Sequence, residues 1–189
     1  MIELLVVFAV TAAVVGLAGK LPDARKVKRI IATTHIQPIE SLTDGAPAAI
    51  RGQVDVATST TIGPVSGRAC VCWVVEFDEV GMGGDYRELG RAAGGHPFML
   101  RGEAATARIV PDEPRIAVPP VERKQLIGPF TGELGEIAKR VCRRMNYPQT
   151  SYLRATEYAV LPGMTLTVLG WCTLEPDPEA VGDVTGYRK

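Results

Sequence analysis

Apolar and polar positions along this 189-residue chain change period three times. From Leu4 to Gly19 there is no period at all: the uncharged run LLVVFAVTAAVVGLAG lies between Glu3 and Lys20. As a helix this run rises about 24 Å, and Met1, Ile2 and Leu21 extend it toward the roughly 30 Å hydrocarbon core of a bilayer. A transmembrane anchor over 2–21 is therefore predicted. Two other readings stay open. A cleaved secretory signal would use the small residues around Gly16 and Ala18, but such signals carry a basic n-region that is missing before Leu4. A buried helix of the folded core is the other.

Beyond residue 35 the pattern turns to short alternations punctuated by the chain's 20 glycines and 14 prolines, which reads as a mostly β domain. AIRGQVDVAT sets Ile50, Val54 and Val56 on one face and Arg51, Gln53 and Asp55 on the other. In ACVCWVVEFDEV, Ala69, Val71, Trp73, Val75 and Phe77 share a face, with Cys70, Cys72 and Val74 opposite before Glu76 and Asp78 make that face polar. GMGGD reads as a turn. PFMLRGEAATARIV holds two strand-like pieces hinged around Arg101, Gly102 and Glu103, and RIAVPPVERKQ is extended. YLRATEYAV leads through Leu161-Pro162-Gly163 into a last strand, where Met164, Leu166 and Val168 alternate with Thr165 and Thr167.

Once only, the period becomes helical. Leu134, Ile137, Ala138, Val141, Cys142 and Met145 recur at i, i+3, i+4, i+7, i+8 and i+11, so an amphipathic helix is predicted over about 131–146. Glu133 and Glu136 near its start and Lys139, Arg140, Arg143 and Arg144 near its end suit the helix dipole, and Asn146 and Pro148 end it. The closing segment, EPDPEAVGDVTGYRK, is polar and predicts a flexible tail over 176–189.

Charge adds orientation. Lys20, Arg25, Lys26, Lys28 and Arg29 follow the apolar run against a single Asp23, so the N-terminus is placed outside and the body of the protein in the cytoplasm. The basic linker, 22–35, offers Lys26, Lys28 and Arg29 to anionic headgroups. On the helix Lys139, Arg140, Arg143 and Arg144 are candidate contacts for membrane or a protein partner, the plainer reading being a solvated face. With 21 basic against 21 acidic residues and 6% aromatics, neither a phosphate-tracking groove nor a base-stacking platform is indicated, and nucleic acid is not an expected partner.

Cys70, Cys72, Cys142 and Cys172 match neither a zinc ribbon nor a Cys-x-x-Cys redox pair. With His35 and His96 as the only histidines, the Cys70/Cys72 pair is read as buried structural thiols, ahead of a disulfide or a metal site. No Gly-x-Ser-x-Gly, His-Glu-x-x-His or P-loop occurs. No cofactor is implied.

Four pieces in order, IRGQV at 50–54, SGRACVCW at 66–73, PFML with ARIVP at 97–111, and LPGMTLTVLG at 161–170, resemble the GIDE-type ("beside a membrane") domain. That domain occurs in mitochondrial and chloroplast membrane-bound ubiquitin ligases and in many prokaryotic membrane proteins. The resemblance covers roughly 36–175 and implies structural roles for Ser66, Gly67, Cys70, Pro162, Gly163 and Gly170. Cys72 departs from it, standing where the family often has a larger aromatic residue. After Cys172 there is no Cys/His series for a RING finger, so ubiquitin ligation is not expected.

The fold class expected is thus mainly β with one inserted helix, barrel-like and OB-like, behind one N-terminal transmembrane helix (2–21), a linker (22–35) and a domain over 36–175. The function expected is a membrane-tethered, non-enzymatic interaction or sensor module in a bacterial inner membrane, touching lipid and a protein partner. A structural subunit of a membrane complex and an enzyme with a motif-free active site are the alternatives.

Overall fold

Short alternating segments bounded by glycine and proline cannot bury a face alone, and here they pair into sheets. A computed structural model describes residues 4–11, 35–81, 83–112, 114, 116, 118–148 and 152–176. Among them are eleven strands and one α-helix, a mainly β fold. Residues 36–175, read from the sequence as one domain, divide into two compact units.

The first unit takes its described residues from Met1–Thr58, Pro97–Asp112 and Gly163–Lys189. It contains β1 (Leu4–Thr11), β2 (Pro47–Val54), β7 (Phe98–Arg101), β8 (Thr106–Asp112) and β11 (Thr165–Pro176), in the order β1-β11-β2-β7-β8. Ile50 pairs with Val168, Val54 with Leu100 and Phe98 with Ile109, and all six are buried. Val56, expected beside Ile50 and Val54, lies beyond the end of β2 and is exposed.

Over Leu4–Thr11 the backbone is extended, antiparallel to β11 and parallel to β8, where the sequence predicts the first half of an anchor helix. An unbroken Leu/Val/Phe run fits a buried strand and a helix equally by periodicity, which is why the pattern could not separate them. The rest of that segment, the linker with Lys26, Lys28 and Arg29, and the tail beyond Pro176 lie outside the described residues. No helix among the described residues is long and apolar enough to cross a membrane.

The second unit, Ser59–His96 and Glu113–Pro162, is a four-stranded sheet with a helix on one face. Its strands are β5 (Cys72–Val80), β6 (Tyr86–Gly95), β9 (Glu122–Ile127) and β10 (Tyr152–Val160), ordered β6-β5-β10-β9, with a small hairpin of β3 (Thr61–Ile62) and β4 (Ala69–Cys70). Helix α1 (Gly132–Arg144) lies within the predicted span. Its stripe of Leu134, Ile137, Ala138, Val141 and Cys142 buries against Val75, Phe77, Leu89, Leu153 and Ala155. The remainder of the predicted cysteine strand divides at Val71, whose N–H donates to Val160 O and whose carbonyl accepts from His96 N. Cys70 thus belongs to β4 and Cys72 to β5, and Cys70, Val71 and Cys72 are all buried in succession.

Candidate interaction site

The Ser66-Gly67 motif closes onto a residue that the sequence reading passed over. Glu157, on β10, is fully buried. Its Oε2 accepts from the backbone N–H of Val65 at 2.7 Å and of Ser66 at 3.2 Å, and its Oε1 accepts from the Ser66 hydroxyl at 2.5 Å. A buried carboxylate is tolerated when donors replace its water shell, and this turn supplies three. Gly67, at φ 68°, makes the turn tight enough for its own N–H to reach Gly63 O at 2.9 Å. A lone acid inside the apolar run ATEYAV was the available signal, since a charge there needs a partner.

The same carboxylate acts on the cysteines. Burial, with Glu157 adding to it, pushes the Cys70 thiol up to about 11, and burial with Cys70 beside it pushes Cys72 up to about 12. Thiols held this far above neutrality are poor nucleophiles. All four cysteines are free and buried.

The face of the second sheet opposite α1 is built of rows that follow from strand register. Val80 pairs with Tyr86 and Tyr152 with Ile127; because Leu153 pairs with Glu79, Val80 and Tyr152 hold neighbouring positions. Tyr86, Val80, Tyr152 and Ile127 therefore form one apolar row across all four strands, with Tyr86, Tyr152 and Ile127 exposed by 51%, 38% and 68%. The next row is Glu88, Asp78, Arg154 and Gln125, and the one after it Arg91, Glu76, Thr156 and Arg123. A bulge between Phe77 and Asp78 keeps Glu88 and Arg91 on this same face, and the extra residue, Leu89, turns into the core.

These rows are held rigidly. Arg154 donates from Nε and Nη2 to Asp78 Oδ2 at 3.1 and 2.8 Å, and its guanidinium carbon stands 3.5 Å from the centroid of the Tyr86 ring. Tyr152 donates its hydroxyl to Gln125 Oε1 at 2.8 Å. Burial pushes the Glu76 carboxyl above its ordinary range; Glu88 and Asp78 add to the shift, while a hydrogen bond from Tyr158 and the charge of Arg91 oppose it. Tyr158 in turn is pushed up to about 12, first by burial and then by Glu76.

The helix cations do not gather into one patch. Lys139 pairs with Glu136 at 2.6 Å, Arg143 Nε turns back to Lys139 O at 3.4 Å, and Arg144 Nη2 donates to Arg91 O of the edge strand β6 at 2.8 Å; Arg140 is exposed. Pro162 and Gly163 form a turn in which Gly163, at φ 81°, donates to Val54 O and its carbonyl accepts from Gln53 Nε2. Gly170 pairs with Ala48 within β11.

No family model, curated protein or solved structure matches this chain.

Proposed function

We propose that the chain is a membrane-tethered, non-enzymatic interaction module of GIDE type, with its body in the cytoplasm. The observation that carries the tether is the uncharged run Leu4–Gly19 followed at once by Lys20, Arg25, Lys26, Lys28 and Arg29. The extended form of Leu4–Thr11 and a helical span over 2–21 are alternative conformations of one segment. In a bilayer the helix satisfies its own backbone groups, which a single strand cannot do. With that segment in the membrane, the first sheet keeps β11, β2, β7 and β8 in that order.

The interaction role is supported by what the polar groups are engaged in. Glu157 is occupied by the 63–68 turn, and the thiols of Cys70 and Cys72 are held protonated. The exposed Tyr86 and Tyr152, beside a fixed Arg154, are of the residue types that dominate protein interfaces, and the exposed Ile127 adds apolar area next to them. The family reading is supported by Ser66, Gly67 and Gly163, each of which makes a turn that the resemblance would require.

A pair of reporters fused after Lys189 tests the orientation. One that works only in the cytoplasm should be active, and one that works only after export should be silent. The reverse result removes the charge argument.

A further inference from the structure

We infer that the outer edge of β9 receives an extended, acidic segment of a partner protein, laid alongside the sheet as a fifth strand. This rests on the reading of the chain as an interaction module and names the kind of partner.

The sheet β6-β5-β10-β9 ends in two edges, and they are treated differently. On β6 the helix side chain of Arg144 occupies the Arg91 carbonyl. On β9, among the described residues, the strand pairing is to β10, so alternate N–H and C=O groups of Glu122–Ile127 face outward, and the Arg123 N–H donates to Glu122 Oε1 at 3.3 Å. An open edge is a template for another strand, and edge cations are one way to keep the wrong strand off.

The side chains select the occupant. Glu122, Arg123, Lys124, Gln125 and Ile127 are exposed, and Arg123 and Lys124, being adjacent, point to opposite faces of the sheet. A strand lying against this edge therefore meets Arg123 on one face and Lys124, with Glu122 beside it, on the other. A second copy of β9 paired antiparallel about Arg123 would set Arg123 against Arg123, which disfavours that register. Acidic residues at neighbouring positions of the incoming strand would pair with both. At the far end of β9, Ile127 stands beside Tyr152 and closes the apolar row Tyr86-Val80-Tyr152-Ile127, so an apolar side chain entering there extends a surface already made.

The test uses the full chain in detergent micelles and two fluorescent heptapeptides, one alternating Asp or Glu with Val and one alternating Lys with Val. Binding is read by anisotropy, and position by amide hydrogen exchange. The acidic peptide should bind and slow exchange at alternate residues of β9 by at least fivefold. Arg123→Glu with Lys124→Glu should weaken it at least tenfold and shift preference toward the lysine peptide, whereas Arg51→Glu on β2 should leave binding unchanged. Equal binding of both peptides, binding of neither, protection at β6 instead of β9, or protection of β9 only by added anionic vesicles would each overturn the inference. Membrane extraction and topology are measured separately, so failure of the tether and failure of this edge are distinguishable.

Discussion

Ser66 donates its hydroxyl to Oε1 of Glu157 at 2.5 Å across 91 positions of sequence. This bond fastens the β3–β4 turn over the end of β10, and it gives the Ser-Gly pair of the family-like motif a physical task. Where a turn supplies three donors to a fully buried carboxylate, each partner depends on the other.

Replacing Glu157 by Ala should cost about 2–4 kcal/mol, because it strands the donors of Val65 and Ser66 and leaves a void. Glu157→Gln retains an acceptor and should cost about 1 kcal/mol, since a neutral acceptor gives roughly half of a charge-assisted bond. Ser66→Ala should cost about 1–2 kcal/mol. Urea denaturation of the three variants checks the ranking; a Glu157→Ala variant as stable as the parent would show that the turn holds without its anchor.

Glu76 makes a prediction about pH. Its pKa is raised above 4.5 in the folded chain, chiefly by burial, so its contribution to stability is full below that value and is lost as pH rises through the folded pKa. Glu76→Gln does not titrate and still accepts the hydrogen bond from Tyr158. The variant should therefore gain stability relative to the parent as pH rises from 4.5 toward neutrality, with no gain below. Paired denaturation curves at a series of pH values measure this, and a difference that is flat or falls with pH would contradict the burial of this carboxyl.

The thiols are predicted to be silent in the native chain. At pH 8 a disulfide reagent should leave Cys70 and Cys72 unlabelled until denaturant is added, because thiols pushed up to about 11 and about 12 are almost wholly protonated and are shielded. Cys70→Ala or Cys72→Ala should each cost about 1 kcal/mol. Rapid labelling of the native protein would make one of them a reactive site.

How much of this was legible in the sequence differs by element. Helix α1 announced itself because its apolar stripe repeats at the helical period over three turns, and the observed Gly132–Arg144 lies inside the predicted 131–146. Strands β10 and β11 and the Pro162-Gly163 turn between them were equally plain. Strand β6 was not read at all: YRELGRAAGG has no alternation, since an edge strand rich in Ala and Gly and broken by a bulge need not carry one. The rows of the exposed face could not be read either, because they depend on the register among four strands. For Glu157 the sequence marks only a lone acid in ATEYAV; its partner, 91 positions away, is set by the fold.

Alkaline carbonate extraction of membranes from cells producing the full chain tests the proposed tether most directly. Helices that span a bilayer stay with the lipid under this treatment, whereas a segment folded as a strand of a water-exposed sheet leaves with the protein. The chain should remain in the membrane pellet through residues 2–21. Release of the whole protein into the supernatant would contradict the tether and would keep Leu4–Thr11 as a strand between β8 and β11.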